Sequence, residues 1–422
     1  MILGRYSFGI GDRFGQQGKP LLEAIIRAGA EGLEVTPVWN KSHREHTIIG
    51  TEPMDVRREA DEVVAACGWT ACYFVDADHV SLANVDLFVE SSDFFTLDVA
   101  DFIGKPADEA QIDEFVGRYA KYAGSSMLAG LGSNLEVTRD VVYAVARKYL
   151  PAVKQAGVIY RHIEAIKGKG NFITEVSMDE TAEPQSAVEM LFILAAIAEE
   201  GIPLQTVAPK FTGRFNKGVD YSGSVEQFSR HFEQVLGVVD FAVKEFGLPA
   251  GLKLSVHSGS DKFSIYPAIS RALKKFETGV HIKTAGTTWL AELEGLASAG
   301  GEGLAIAKQV YVEALARMDE LCGPYREVID IDRSRLPSER EVRAWDGARF
   351  VAALRHEPGG EHYNPDFRQL LHVGYKVAAR MGRRYLDALE RYEHVIALRV
   401  TENIYERHIL PIFLQDGPAK AG

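Results

Sequence analysis

The sequence predicts an α/β protein: a (β/α)8 TIM barrel with a helical insertion after strand 4 and a helical C-terminal extension. Three observations predict it. Eight short apolar runs of strand character lie at residues 6–10, 32–36, 71–76, 94–98, 172–177, 204–208, 252–257 and 280–284. Most of them alternate with stretches whose apolar residues recur at helical spacing, the rhythm of a parallel barrel. Ionisable residues gather at the ends of these runs, which is where a barrel carries its site.

The elements follow in order. After the first strand, Leu21, Leu22, Ile25 and Ile26 share one face of a helix over 20–30, and Pro20 suits its first turn. No strand appears between 104 and 170. There Ile112, Phe115, Tyr119 and Tyr122 fall at helical spacing, as do Val142, Val145, Tyr149 and Val153, which predicts the insertion over 104–170. The fifth strand precedes a helix over 185–200. The sixth precedes one over 225–246, opened by Ser224 with Gln227 three residues on, a capping-box pattern. The barrel therefore spans 1–288, and a helical extension over 289–422 covers its mouth. Within that extension, 333–365 is broken by Pro337, Gly347, Pro358, Gly359 and Gly360 and is a candidate lid.

Composition excludes several function classes. The 422 residues hold 47 Lys and Arg against 59 Asp and Glu, a formal charge of −12. A nucleic-acid or anionic-membrane partner needs a clustered basic surface, so neither is expected. Three scattered cysteines, Cys67, Cys72 and Cys322, form no disulfide or CxxC pattern and read as reduced thiols. The longest apolar run, 190–198, is about half a membrane span. The opening Met1-Ile2-Leu3-Gly4-Arg5 has no leader pattern, so a soluble, cytoplasmic protein is expected.

The strand ends carry the chemistry. Strand one ends in Asp12 and Arg13, strand three in Asp76, Asp78 and His79, and strand four in Asp98. Strand five carries Glu175 and is followed by Asp179, Glu180 and Thr181; Lys210 follows strand six. Strand seven ends in His257 with Asp261 and Lys262 beyond it, and strand eight holds His281 and Lys283. Parallel strands are buried on both faces and should read as apolar runs, and buried charge costs several kcal/mol unless paired or metal-bound. This clustering is therefore read as functional. Imidazoles on three strands, with carboxylates in the same mouth, suit a divalent metal ion: Zn, Mn, Co or Ni. Asp78 and His79 are adjacent, and strand side chains alternate, so the chain must turn there if both are to face one substrate.

Weaker signals take the plainer reading. The segment Gly9-Ile10-Gly11-Asp12-Arg13-Phe14-Gly15 has one residue too many for a dinucleotide fingerprint, and no acidic residue closes the next strand. His372 and Lys376 read as one packed helix face, His356 and His362 as solvated loop residues, and Glu327, Asp330 and Asp332 as a solvated acidic surface.

Taken together, Asp76-Ala77-Asp78-His79, Glu175-Val176-Ser177-Met178-Asp179-Glu180-Thr181, the 257–263 segment and the 281–287 segment resemble the tagaturonate/fructuronate epimerase family, whose members include D-tagatose/D-fructose 4-epimerases. The 7–13 opening and Arg368-Gln369-Leu370-Leu371-His372 are similar to it as well. The resemblance implies a metal-dependent isomerase that interconverts D-tagaturonate and D-fructuronate. The inverted carbon lies β to the ketone and its hydrogen is not acidic, so retro-aldol cleavage and re-addition is the expected route, with carbonyl migration through an enediol as the competing one. Carried over by motif, Asp78 is implied as proton acceptor, Glu175 as proton donor, and His79, His257 and His281 as metal ligands. Ser125 is implied as a substrate contact. Asp12, Arg13, Asp179, Thr181, Lys210, Asp261, Lys262 and Lys283 complete the expected substrate set, and Arg214 is a further candidate for a uronate carboxylate. The expected partners are a small sugar or sugar acid and, in a homo-oligomer, further copies of the chain. A metal-dependent aldolase or a ketose isomerase on the same barrel is the alternative; a sugar-binding protein would lack the acid/base pair.

Overall fold

The computed structural model describes residues 1–124, 137–284 and 286–414. Eight parallel strands close into a barrel in sequence order: β1 (Tyr6–Ile10), β2 (Val35–Ser42), β3 (Phe74–Val80), β4 (Phe94–Asp98), β5 (Ile173–Met178), β6 (Thr206–Pro209), β7 (Lys253–His257) and β8 (Val280–Lys283). β1 and β4 have the bounds the sequence predicts. β2 and β3 run further toward the C-terminal end than the apolar runs suggested. Pro37 reads as a strand terminus, yet it pairs opposite Phe8 inside β2. It lies ahead of Val38, the first residue paired with β3, so its missing N–H breaks no bond to that strand. β3 continues through Asp76 and Asp78 because their side chains point into the barrel rather than into solvent.

The barrel interior is layered. Leu3, Val38, Phe74, Phe94 and Ile173 form a small apolar plug at the N-terminal end, apart from the main core. Above it the inward positions turn polar: Asp76, Glu175 and Lys283 are ionisable, and the Thr96 hydroxyl donates to Asp76. The opposite faces of the same strands carry Phe95, Leu97, Val176 and Ile282, which join the main core with the surrounding helices. This two-level interior is why the strand sequences read as apolar up to their last residues.

Ser224 caps its helix as the sequence predicts, its hydroxyl accepting from Gln227 N at 3.2 Å, and that helix spans Val225–Phe246. Between β4 and β5 run the helices Glu109–Tyr119 and Arg139–Lys167. The second is tied to the helix Ala187–Glu199 through Lys148 and Tyr149, which donate to Glu189 at 2.8 and 2.9 Å. It therefore stands in the outer layer of the barrel. The chain after β8 does two things. Tyr325, His372 and Tyr375 line a cavity at the mouth. The closing stretch, Glu393–Ile404 followed by Tyr405–Leu414, packs against the helices Gly18–Ala30 and Tyr266–Lys275. There Phe413 meets Tyr6 at 4.9 Å and Thr401 donates to Pro20 O at 2.9 Å. The end of the chain thus covers the outward face between β8 and β1. The 333–365 stretch contains the helices Glu339–Ala344 and Gly347–Leu354, whose Val342, Phe350 and Leu354 are buried, so it is packed down. Among the described residues, no helix is long and apolar enough to cross a membrane.

Candidate active site

The expected turn at Asp78-His79 is present. His79 takes φ 57°, one of two non-glycine residues with positive φ among the described residues, and the β3–β4 register shifts between Ala77 and Val80. This bulge places Asp78 and His79 side by side on the wall of one cavity of about 320 Å³. A positive φ is strained for a residue with a Cβ, and strain of this kind collects at functional sites.

Two histidines there share one arrangement. His79 Nδ1 donates to Asp78 Oδ1 at 2.9 Å, and His257 Nε2 donates to Glu175 Oε1 at 2.8 Å. Their other ring nitrogens, His79 Nε2 and His257 Nδ1, are buried and make no hydrogen bond. Both face Asp179, at 3.5 and 3.1 Å. Ligand atoms of His79, Asp179 and His257 all lie within 4.8 Å of one another. A carboxylate behind each imidazole fixes its orientation and turns its other nitrogen to the front, the usual outer shell of a metal-ligating histidine. Burial opposes their charge, but Asp78 and Asp179 hold His79 well above its ordinary pKa, and Asp179 and Glu175 push His257 up to about 9, so a cation bound there would displace a proton from each ring. The residues present therefore fit a divalent cation.

His281, expected as the third ligand, is not in this group of atoms, although its Nε2 is likewise buried and makes no hydrogen bond. Pairing sets Ser255 opposite His281 and His257 opposite Lys283, so His281 is one layer deeper than His257. Its Nδ1 is 2.9 Å from Ser7 Oγ, and its ring packs on Phe94 at 5.3 Å. Burial drops its pKa to about 3, so it is neutral. Asp179, expected as a substrate contact, stands in the group instead.

Beneath the histidines three carboxylates surround one ammonium. Lys283 Nζ is 2.7 Å from Asp76, 2.9 Å from Asp78 and 3.1 Å from Glu175, with Thr96 donating to Asp76 at 2.9 Å. Burial opposes ionisation of all three. For Asp78 it is outweighed by Lys283 and His79, and for Glu175 by Lys283 and His257, so both stay well below the usual carboxylate range. Asp76 is pushed up to about 7, chiefly by burial, with Lys283 opposing and the neighbouring carboxylates reinforcing it. One ammonium thus supports two charges, and the third site holds a proton near neutrality. Asp78 and Lys283 reach the cavity wall. Glu175 is fully buried behind it, so its link to a substrate runs through Lys283.

The family profile described as UxaE, tagaturonate epimerase, matches residues 2–409. The chain belongs to this family. It is an isomerase of the epimerase kind. The curated tagaturonate/fructuronate epimerase of Thermotoga maritima is 27% identical over 421 residues, covering 96% of this chain and 80% of that protein. The native structure of a fructuronate-tagaturonate epimerase from Cohnella laeviribosi superposes with a TM-score of 0.76 at 21% identity, over 98% of this chain and 82% of that one. A form of it complexed with two glycerols gives a TM-score of 0.79 at 20% identity, over 98% and 83%. These structures share the fold.

The other expected substrate residues of this epimerase divide. Arg13 lines the cavity, but its guanidinium is committed to Glu45 at 2.8 Å and stacks over Tyr375 at 4.0 Å. Asp12 is a loop builder: its carboxylate accepts from the backbone N–H of Phe14, Gly15, Gln16 and Gln17. Thr181 and Lys210 line a second cavity of about 490 Å³ that adjoins the first, and Lys210 Nζ donates to Thr181 O. Arg214, on the same wall, lies 3.5 Å from Asp330. Asp261 and Lys262 are fully buried and line neither cavity. Lys262 donates to Ser260 Oγ at 2.9 Å. Ser125 lies outside the described residues.

Sequence reading missed His372. The helix Pro365–Val373 carries it onto the cavity wall with Nε2 buried and unpartnered, and burial holds its pKa well below the ordinary value. It is thus a neutral imidazole available to a hydroxyl. Gly286 gives it room, since a Cβ there would overlap His372 Nε2 and Gly259 O. Gly286→Ala is expected to lower kcat/KM about tenfold or more, with an overpacking cost of about 1–3 kcal/mol. Steady-state kinetics together with a thermal melt check it.

Proposed function

We propose that the protein interconverts D-tagaturonate and D-fructuronate, with a divalent cation held by His79, Asp179 and His257. One observation supports this most: two imidazoles, each backed by a carboxylate, turn unpartnered nitrogens toward Asp179 beside an ionic cluster. A cation bound there supplies Lewis acidity toward the oxygens of a hydroxyketone.

The carbon to be inverted lies β to the ketone, so its hydrogen is not acidic. Asp78, on the wall, takes the proton of that carbon's hydroxyl. The bond between the α and β carbons breaks, and its electron pair passes to the ketone-bearing fragment. The other fragment becomes an aldehyde, turns over, and is attacked on its opposite face as Asp78 returns the proton. Lys283 compensates the charge on Asp78 before it takes the proton and after it returns it, and Glu175 keeps both Lys283 and His257 in place. His372 is placed to hold a sugar hydroxyl.

The test is metal analysis of the purified protein, then incubation with D-tagaturonate followed by chromatography for D-fructuronate. Running the reaction in deuterated water reads the route: no solvent deuterium is expected at the inverted carbon. Deuterium there would replace cleavage by carbonyl migration. Release of two three-carbon products would make the protein an aldolase.

A further inference from the structure

We propose that Arg44 and Lys217 form a recognition pair for the carboxylate of the substrate, and so set a preference for hexuronates over neutral ketohexoses. The inference rests on the epimerase reading above and deepens it. It starts from where the cations are. An acidic chain of net charge −12 repels an anionic sugar, so selectivity for one requires local positive groups without counter-charge. The cations expected for this task are already committed. Lys283 compensates the carboxylate cluster, Lys262 is buried on Ser260, Lys210 caps Thr181 O, Arg214 leans on Asp330 and Arg13 is paired with Glu45.

Arg44 and Lys217 are not. Both line the metal-side cavity and the adjoining one, at the passage between the two. Among the described residues, neither side chain makes a hydrogen bond or an ion pair. Arg44 follows β2, and its guanidinium lies 5.3 Å from the ring centroid of Tyr325, held by its face with its donor edges free. Lys217 is fixed by its backbone, whose N–H donates to Val328 O at 2.8 Å. Its ammonium packs against Gly259, two residues past His257; a Cβ at Gly259 would sit 3.3 Å from Nζ.

The acidic groups on the shared wall are accounted for. Asp179 faces His79 and His257, which leaves Glu180, whose charge acts on Arg44 through space without an ion pair. A guanidinium fork and an ammonium beside the metal-side cavity are suited to a carboxylate at the far end of a six-carbon sugar. The same anchor would retain the anionic three-carbon aldehyde between cleavage and re-addition.

The test compares wild type, R44M, K217M and the double variant in calorimetric binding and turnover of D-tagaturonate and D-tagatose. These sugars differ only in a carboxylate against a hydroxymethyl group. Wild type is expected to bind the uronate at least tenfold more tightly. Each single variant should raise KM for the uronate about tenfold, with kcat changed far less, and the double variant should lose the preference. R44K and K217R should recover part of it, while K244M, on the outer helix Val225–Phe246, leaves the ratio of the two sugars as in wild type. Equal binding of the two sugars by wild type, or an unchanged preference in the double variant, overturns the proposal. The two readings separate cleanly. Selective uronate binding without epimerisation keeps the pair and removes the epimerase reading; epimerisation without selectivity does the reverse.

Discussion

Replacing Asp78 with asparagine is expected to reduce kcat by about 10²–10⁴, the range that a positioned proton carrier contributes. The substitution keeps size and shape and removes only basicity. Asp78 Oδ1 accepts from both His79 Nδ1 and Lys283 Nζ at 2.9 Å, and an amide oxygen preserves both contacts in one rotamer. Metal content of the variant, measured at saturating metal, is therefore expected to stay near wild type. His257→Ala should behave differently: it removes a ring nitrogen that faces Asp179 and lowers metal content together with activity. A D78N enzyme that kept more than about a tenth of wild-type kcat would remove Asp78 from the proton-transfer step. Glu175→Gln should retain more activity than D78N, because Glu175 lies behind the wall rather than on it.

How legible this site was in the sequence depends on which property carries each residue. A charged residue in a strand that ought to be apolar is a local signal, and it found Asp78, His79, Glu175, His257 and Lys283. The bulge at His79 followed from alternation alone, because two adjacent residues cannot face one cavity from a regular strand. Depth in the barrel is different. His281 and His257 look alike in sequence, and only the β7–β8 register sets one a layer below the other. Asp179 lies just past β5, where nothing in the sequence says which way the chain turns. Arg44 and Lys217 are notable because, among the described residues, neither side chain has a hydrogen-bond or ion-pair partner, and partnership is a tertiary property. His356 shows the same limit from the other side. Its Pro- and Gly-rich surroundings read as a solvated loop, yet it is 1% exposed and lies 3.1 Å from Asp261. The elements failed where ionic side chains were taken as strand ends, as in β3, and at the end of the chain. Nothing local in Glu393–Leu414 announces that it packs beside the first helix of the barrel.

Arg368→Met is expected to destabilise the fold by about 3–5 kcal/mol, the cost of stripping the partner from a buried charge. Arg368 is 1% exposed and its guanidinium is fully used: Nη2 donates to Asp261 at 2.7 Å, Nη1 to Leu354 O at 2.6 Å and Nε to Gly218 O at 2.6 Å. Asp261 is fully buried and also accepts from Thr287 at 2.9 Å. Burial works against its charge, but Arg368, ahead of the neighbouring histidines, holds its pKa well below the carboxylate range. Those histidines are poor substitutes: burial lowers His356 and takes His408 to about 4, so neither is a cation at neutral pH. The sign of the pH effect follows. In wild type, the depressed Asp261 adds stability above its unfolded pKa, and that is lost as pH falls. Without Arg368 the folded pKa rises, and burial then costs stability as pH climbs through the unfolded value. Denaturant titrations should therefore show the gap between wild type and R368M wider at pH 8 than at pH 5. Adding Asp261→Asn to R368M should recover part of the loss, because the nearer of the two carboxylates that Arg368 serves is then neutral; Glu294, 3.5 Å from Nη1, is the other. A variant as stable as wild type at pH 8 would mean that Asp261 is not held ionised by Arg368. Because Gly218 O lies next in the chain to Lys217, the loss of Arg368 should also raise KM for the uronate. The ion pair that fastens the C-terminal helices to β7 then also positions one of the two cations at the cavity.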